Sequence, residues 1–330
     1  MKPIKATIAA MVLTAAVALP AHAETTLRIT LQLPLKAHLG QNLLMFKNEV
    51  EAESKGDIKV EIYDSAQLYK DKEVPQAVGS GAIEMGVASL TRYVGEIPAV
   101  DIFYVPFMFN SDAKVRAAVA PGSAVRQPID DAILKTGSRV LWWQAYGGAI
   151  MLSKGGPLKT PADIKDKKVR VFGRTLGKFI ETLGGAPTLI SGSEQYVAYQ
   201  RGTVDAGMTG VSGVKSRKLW EVMDTITVTN HADIEFIVVV NEKFWQGLSK
   251  DQQAIVSKAA RNAEAHVRNE MANIEATAYA AAKENGMKVV EVSDAEVQSW
   301  RAATKPVLDS YLAESGALGQ QVYQAAQALK

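Results

Sequence analysis

The chain has no cysteine among its 330 residues, which excludes disulfide bonds, thiolate metal sites and a cysteine nucleophile. It also lacks an excess of charge of either sign. Once Lys2 and Lys5 are set aside, the 37 basic residues become 35, equal to the 35 acidic residues. This balance argues against nucleic acid as a partner. Long runs of like charge and low-complexity segments are absent, so we expect a folded globular protein.

Motifs of common enzyme classes are missing too. The sequence contains neither G-x-S-x-G nor H-E-x-x-H, the signatures of many serine hydrolases and zinc proteases. Gly207, Gly210 and Gly213 are spaced differently from the G-x-G-x-x-G dinucleotide fingerprint. We therefore expect recognition of a ligand rather than a reaction, with no catalytic residues, cofactor or metal. An exported enzyme that uses the same cleft is the alternative.

The first 23 residues have the composition of an export signal. Lys2 and Lys5 precede an apolar run at 8–19, and an A-x-A cleavage signal ends at Ala23. The apolar run is too short to span a bilayer. We therefore expect cleavage after Ala23, a periplasmic location and no stable membrane insertion. A retained membrane anchor is the alternative.

Hydrophobic patterns in the remaining chain predict alternating strands and helices, as in an α/β fold. The segments 58–63, 138–145 and 235–240 predict strands, and the last is a continuous apolar run typical of a buried strand. A capping box opens at Ser249, and no Pro or Gly interrupts the chain until Gly286. This run predicts one helix about 50 Å long at about 1.5 Å per residue. Such a helix should span two lobes.

Two segments repeat the order Gly, x, β-branched, acid, x, Gly, at 81–86 and at 202–207. The strands at 59–62 and 168–171 also resemble each other. Two βαβ lobes of one plan are the favoured interpretation, and chance similarity is the alternative. The predicted lobes are residues 24–146 plus about 235–275 (lobe I) and residues 147–234 plus about 276–330 (lobe II).

The functional prediction centres on residues 157–171. Thr160 begins a capped turn, which leads into a strand where Arg170 lies between Val169 and Val171. Leaving such an arginine buried without a partner costs about 3–5 kcal/mol. Arg170 must therefore pair with an internal acid, reach solvent, or receive an anion from outside.

Aromatic residues at predicted strand ends and in loops are further candidates, because ligand sites of α/β proteins collect there. They are Tyr93, Phe107, Trp142, Trp143 and Phe172. Core packing is the alternative for each. It applies to at least one of Trp142 and Trp143, since adjacent residues of a strand face opposite ways.

The sequence resembles the substrate-binding proteins of tripartite ATP-independent periplasmic (TRAP) transporters, of the C4-dicarboxylate-binding type. The segments that carry this resemblance extend over essentially the whole mature chain. They are residues 67–68, 81–86, 106–107, 158–165, 169–171, 185–187, 194–196, 202–205 and 241–245.

The resemblance implies an α/β, two-lobed periplasmic-binding-protein fold, type II-like, with a long helix spanning both lobes. It implies that the lobes close on an organic acid, that Arg170 pairs with the ligand carboxylate, and that the partners are TRAP membrane subunits. We expect a monomer. A binding protein that feeds a sensor is an alternative to transport.

The sequence departs from the family pattern at three positions. Thr209 stands where the family usually has an asparagine, Gly210 replaces the following proline, and Gly192 replaces an aromatic residue of many members. Less side chain at Gly192 and Gly210 favours a bulkier monocarboxylate, such as an aromatic, hydroxy or keto acid. A C4-dicarboxylate or a sugar acid is the alternative. The predicted ligand-binding residues are Arg170, Thr209, Gln32, His38, Ser89, Tyr93, Trp143, Phe172, Gly210 and Ser212.

Overall fold

A computed structural model describes residues 24–329 of the chain. The predicted export signal at residues 1–23 lies outside this described part. The strands of residues 24–329 are β1 (Thr25–Thr30), β2 (Ile58–Tyr63), β3 (Met85–Ser89), β4 (Ser138–Ser153), β5 (Lys168–Val171), β6 (Ala186–Leu189), β7 (Ala206–Gly210), β8 (Thr225–Val228), β9 (Asp233–Asn241) and β10 (Lys288–Glu291).

Helices surround these strands. The α-helices are α1 (His38–Glu53), α2 (Val74–Gly79), α3 (Asp112–Val119), α4 (Arg126–Leu134), α5 (Arg174–Thr182), α6 (Gln195–Gln200), α7 (Val211–Arg217), α8 (Glu242–Gly247), α9 (Lys250–Glu284), α10 (Asp294–Glu314) and α11 (Gly316–Ala328). Short 3₁₀ helices lie at Asp71–Glu73, Leu90–Tyr93, Pro98–Tyr104, Pro161–Ile164 and Leu219–Glu221. Within residues 24–329, no helix combines the length and the apolar character needed to cross a bilayer.

One long strand, β4, joins two halves of the sheet. Its first part pairs antiparallel with β9, from Ser138 opposite Asn241 to Gly148 opposite Asp233. Its last part, residues 149–153, pairs with β7 and β8. The first half of the sheet therefore runs β2-β1-β3-β9-β4. In the second half, β4 is followed by β7-β5-β6, and β8 and β10 form a side branch.

The two halves share one plan. β1 lies between parallel β2 and β3, and β5 lies between parallel β6 and β7. The repeated glycine segments at 81–86 and 202–207 lead into the equivalent strands β3 and β7, as predicted. The proposed match of 59–62 with 168–171 is wrong. β2 is an edge strand, whereas β5 occupies the central position that β1 has in the first half.

The helix α9 is 35 residues long and begins with the predicted capping box of Ser249 and Gln252. It packs first against α1 and β4 and then against α7 and β10. It therefore spans both halves of the sheet, which confirms the predicted α/β fold with a long spanning helix. The C-terminal helix α11 packs against Pro98–Tyr104 of the first half. The exact lobe boundaries stay a prediction.

Candidate functional site

Arg170 lies on β5, the central strand of the second half, and is only 3% exposed. Its Nε donates to the Ile190 carbonyl at 3.0 Å, and its Nη1 donates to the Met208 carbonyl at 2.5 Å. It forms no ion pair with a carboxylate among residues 24–329. The two carbonyls fix the guanidinium plane and leave Nη2 without a protein partner in this part of the chain. Of the three alternatives for Arg170, an internal acid and free solvent are therefore excluded within the described residues.

The charge of Arg170 persists at neutral pH. Burial lowers the pKa of its guanidinium to about 10, and the nearby positive charges of Arg92 and Arg217 act in the same direction. The Phe172 ring lies 5.4 Å from the guanidinium carbon, a distance typical of a cation–π contact. The result is a rigid, desolvated cation.

Arg170 faces a small cavity of about 30 Å³, which we call the Arg170 cavity. Room for one water molecule corresponds to about 10–15 Å³ by the same kind of measure, so the cavity is compact. Both halves of the sheet and the strands that join them contribute to its wall. The lining residues are Gln32, Asp71, Ser89, Arg92, Tyr146, Arg170, Phe172, Gly192, Gln195, Thr209, Arg217, Ile234 and Phe236.

Asp71 organises the part of the cavity that comes from the first half. Its carboxylate accepts from the Ser89 backbone N–H at 2.8 Å and from the Ser89 hydroxyl at 2.9 Å. It also pairs with Arg92 Nε at 2.5 Å. Arg92 is thereby neutralised and held in place at the cavity wall.

Arg217 differs from Arg92 because no carboxylate among residues 24–329 forms an ion pair with it. Its Nη1 donates to the Tyr146 hydroxyl at 3.1 Å. Since Arg92 is balanced by Asp71, the cavity retains the positive charges of Arg170 and Arg217. Two such cations around a small space match an anion or a ligand with two acceptor groups.

Buried amides add acceptors to this basic cavity. Gln32 is 4% exposed and Gln195 is 1% exposed. The Oε1 atom of each is buried without a hydrogen-bond partner among the described residues. Buried polar atoms are usually paired, so these oxygens can receive a hydroxyl or N–H group of a ligand.

The space expected at Gly192 and Gly210 is filled by neighbouring side chains. A Cβ at Gly192 would lie 2.8 Å from Gln32 Oε1 and 2.9 Å from Arg217 Nη2. At Gly210 it would lie 2.8 Å from the Tyr146 ring. The glycines therefore admit the side chains of Gln32, Arg217 and Tyr146 rather than extra ligand volume.

Of the predicted ligand-binding residues, five line the Arg170 cavity: Arg170, Thr209, Gln32, Ser89 and Phe172. The other five lie outside its wall. Gly210 packs against the Tyr146 ring, and Ser212 lines a neighbouring groove. Tyr93 is 1% exposed and belongs to the core.

His38 and Trp143 also have other surroundings. The His38 Nε2 bonds the Ala145 carbonyl at 3.1 Å, and its ring lies 5.3 Å from the Tyr146 ring. Burial lowers the pKa of His38 to about 4, so it is neutral at pH 7. Trp143 is fully buried and donates its indole N–H to Asp130 at 2.9 Å.

The other aromatic candidates are core residues too. Trp142 is fully buried and bonds Asn42 at 3.2 Å. Phe107 lies beneath Arg301, 5.0 Å from its guanidinium carbon, and does not line the Arg170 cavity. Among the aromatic candidates, the cavity includes Phe172 alone.

Sequence reasoning missed seven lining residues. They are Asp71, Arg92, Tyr146, Gln195, Arg217, Ile234 and Phe236. Arg92 follows the carboxyl end of the parallel strand β3, a position where ligand sites of α/β sheets occur. That signal could have identified Arg92. Arg217 lies at the far end of α7, and no local pattern separates it from an ordinary exposed helix residue.

Comparison with known proteins gives a consistent match. Residues 32–315 match the family model described as bacterial extracellular solute-binding protein, family 7. The chain is 29% identical over 282 residues to the C4-dicarboxylate-binding periplasmic protein DctP of Rhodobacter capsulatus, covering 84% of each chain. It is 28% identical over 312 residues to the sialic acid-binding periplasmic protein SiaP of Vibrio cholerae, covering 93% of this chain and 94% of that one.

Solved structures share the fold. A TRAP periplasmic solute-binding protein of Sulfurospirillum deleyianum with bound succinate superposes with a TM-score of 0.87 at 24% identity, covering 93% of this chain and 100% of that one. DctP7 of Bordetella pertussis, which binds pyroglutamic acid, also has a TM-score of 0.87, at 21% identity, covering 92% and 99%.

Proposed function

The chain belongs to family 7 of the bacterial extracellular solute-binding proteins, and we propose that it captures an organic acid by pairing Arg170 with the ligand carboxylate. One observation carries this proposal. Arg170 is a buried, charged guanidinium that faces a cavity and has no carboxylate partner among the described residues. The planar guanidinium matches the two oxygens of a carboxylate.

The assignment of an acid agrees with the relatives. DctP of Rhodobacter capsulatus is named for C4-dicarboxylates and SiaP of Vibrio cholerae for sialic acid. The two solved structures hold succinate and pyroglutamic acid. All of these compounds carry a carboxylate. We propose that this chain delivers its acid to the membrane subunits of a TRAP transporter from the periplasm.

Within the organic acids, the cavity favours a compact ligand with a second acceptor group. Arg217 supplies a second unneutralised cation, and the small volume gives little room for an aromatic body. The free oxygens of Gln32 and Gln195 suit an added hydroxyl. We therefore place a dicarboxylate or a compact hydroxy or keto acid ahead of the bulkier monocarboxylate expected from the glycines.

A thermal-shift screen of organic acids tests the role of Arg170. A ligand at about 100 times its Kd adds roughly 2.7 kcal/mol to the free energy of unfolding. We expect the Arg170→Ala variant to lose this response. Arg139→Ala is the matched control, since Arg139 pairs with Glu242 away from the cavity. A full response of Arg170→Ala to the best acid would contradict the proposal.

Succinate and butyrate form a matched ligand pair that tests Arg217. They differ in one terminal carboxylate, and a charge-assisted hydrogen bond contributes roughly 1.5–3 kcal/mol. Arg217→Gln should weaken succinate binding at least about tenfold and leave butyrate within about threefold. Calorimetric titration gives both constants. Equal losses of affinity for the two acids would show that Arg217 does not select between them.

Four further expectations accompany the proposal. The exported protein should begin at Glu24, which N-terminal sequencing checks. It should be a monomer in which residues 24–146 plus about 235–275 and residues 147–234 plus about 276–330 close around the ligand. The bound acid should be recovered chemically unchanged, whereas an exported enzyme would release a product.

A further inference from the structure

A second and larger cavity lies beside the Arg170 cavity. Its volume is about 580 Å³, within the range of about 300–1,000 Å³ typical of small-molecule sites. The helix α9 forms its floor, and its walls are the N-terminal end of α1 and the helix α7. We call it the α9 groove. Its walls come from different halves of the sheet, so an occupant would touch both.

The floor of the α9 groove contains polar residues, namely His266, Glu270, Asn273 and Thr277, and an apolar stripe. Val267, Ile274, Ala278 and Ala281 form the stripe and are spaced by three, four or seven residues along α9, with Ile274 and Ala281 partly exposed. That spacing puts them on one face of the helix. The partly buried Trp220 adds an aromatic surface to the lining. The floor suits the apolar body of a ligand.

The rim of the groove is basic. Lys36 lies two residues before α1, Lys215 lies on α7, and Lys218 directly follows α7. None of the three forms an ion pair with a carboxylate in the described part of the chain. Glu270 is the only acidic residue that lines the groove among residues 24–329, and it accepts from Asn273 at 3.3 Å. The rim therefore carries a net positive charge.

A buried polar group adds to this lining. Ser212 is 5% exposed, and its hydroxyl oxygen has no hydrogen-bond partner among residues 24–329. It lies on α7 and belongs to the wall of the groove. A ligand oxygen at this end would give the hydroxyl the partner that buried polar groups normally have.

The α9 groove is separate from the Arg170 cavity. His38 lines the groove and Tyr146 lines the cavity, with their ring centroids 5.3 Å apart. His38 is bonded to the Ala145 carbonyl, and the Tyr146 hydroxyl accepts from Arg217. Because both rings are held by these bonds, they form a wall between the two spaces.

We propose that the α9 groove is a second ligand site, which binds an amphipathic anion with one anionic head and an apolar body. The body packs on the apolar stripe of α9 and on Trp220. The head lies among Lys36, Lys215 and Lys218. A medium-chain carboxylate has this chemistry, and its binding does not depend on Arg170.

Decanoate is a suitable probe for the mature, full-length protein. Calorimetric titration should give saturable binding of one decanoate per chain. The double variant Lys36→Glu/Lys215→Glu should weaken it at least about tenfold, because two charge-assisted contacts become repulsive. The matched control is Lys114→Glu/Lys305→Glu, which makes the same change of charge at another surface depression. The control and Arg170→Ala should both bind decanoate within about twofold of the wild type.

A fluorescence measurement with a conservative variant gives a second test. Decanoate should change the tryptophan emission of the wild type, and Trp220→Phe should abolish that change while calorimetric binding persists. The proposal is overturned if the wild type shows no saturable binding or if both lysine double variants lose affinity equally. Loss of binding in Arg170→Ala would assign decanoate to the Arg170 cavity instead. A fluorescence change that survives in Trp220→Phe would place decanoate outside the groove.

Discussion

Arg170 donates two of its N–H groups to the carbonyls of Ile190 and Met208, and its Nη2 remains available to the cavity. The sequence predicted that an arginine between two valines of a strand needs a partner for its charge. It could do so because strand alternation and charge are local properties. It did not predict Arg217 as the second cation. Arg217 reaches the cavity through the placement of α7 against Tyr146, and that placement is set by tertiary packing.

His231 makes the stability of the protein depend on pH. It is fully buried, stacks on Phe179 with ring centroids 5.1 Å apart, and has its Nδ1 2.7 Å from the Thr229 hydroxyl. Burial lowers the pKa of His231 to about 3. Below the unfolded pKa of about 6.5, the unfolded chain binds a proton that the native chain does not. The contribution of neutral, buried His231 to the free energy of unfolding is therefore fully present above that pH, and it is lost as the pH falls below it.

Because of His231, we expect the free energy of unfolding to fall by roughly 2 kcal/mol when the pH is lowered from 7.5 to 5. The variant His231→Phe keeps the stacking and removes the titrating group. Urea unfolding at both pH values gives the free energies of unfolding of the wild type and the variant. The difference between them should shift by about 2 kcal/mol in favour of the variant when the pH falls from 7.5 to 5. The contributions of the other titrating groups cancel in this difference, because both proteins contain those groups. Parallel pH profiles would contradict this role of His231.

Among the secondary-structure elements, α9 could be predicted almost completely and β4 only in part. The capping box at Ser249 and the uninterrupted run to Gly286 are local signals, and they fix the two ends of α9. For β4 the sequence indicated 138–145, whereas the strand continues to Ser153. Gly147 and Gly148 weaken the strand pattern, and only pairing with β7, β8 and β9 extends the strand through them.

Gly147 lies where β4 passes from one half of the sheet to the other. Its φ is +91°, and a Cβ there would lie 2.1 Å from Glu275 Oε1. That oxygen already accepts from the Gly148 backbone N–H at 3.0 Å. An alanine would therefore bear backbone strain of roughly 1–2 kcal/mol and would also displace Glu275.

Gly147→Ala should destabilise the protein more than Gly155→Ala. Gly155 has a similar φ of +82°, but no described atom lies within 4 Å of the position that its Cβ would take, so its variant bears the backbone strain alone. Urea unfolding should show an additional loss of about 1 kcal/mol for Gly147→Ala, the value of one hydrogen bond. Equal losses would mean that Glu275 moves without cost.

For the molecule as a whole, the cavity depends on how the two halves meet. Gln32 and Ser89 come from the first half, while Thr209 and Arg170 come from the second. The sequence could indicate these residues through strand ends and family resemblance. It could not tell that Trp143 lies on the far side of its strand, because the direction of a side chain depends on register and bulges that only the assembled sheet defines.

An exposed ion pair connects the two halves near the cavity. Lys70 Nζ lies 2.8 Å from Glu194 Oε1, and the side chains are 42% and 44% exposed. Exposed pairs contribute little and are screened by salt. Lys70→Ala should therefore weaken binding of the organic acid by less than about fivefold at low salt, and by less still at high salt.

A double-mutant cycle with Glu194→Ala checks this prediction by calorimetric titration at two salt concentrations. The two single losses should not add at low salt, because each variant removes the same contact. Additive losses would show that the pair does not couple to ligand binding. Loss of all binding in Lys70→Ala would give the pair a larger role than its exposure allows.

A crystal structure of the complex with the tightest-binding acid would show directly whether Arg170 holds the ligand. We expect a ligand carboxylate oxygen at about 2.7–2.9 Å from Arg170 Nη2, the usual length of a charge-assisted bond. The rest of the ligand should lie between Arg217 and the side chains of Gln32 and Ser89. A carboxylate bound away from Arg170, with its guanidinium contacting only the carbonyls of Ile190 and Met208, would contradict the pairing of Arg170 with the ligand carboxylate.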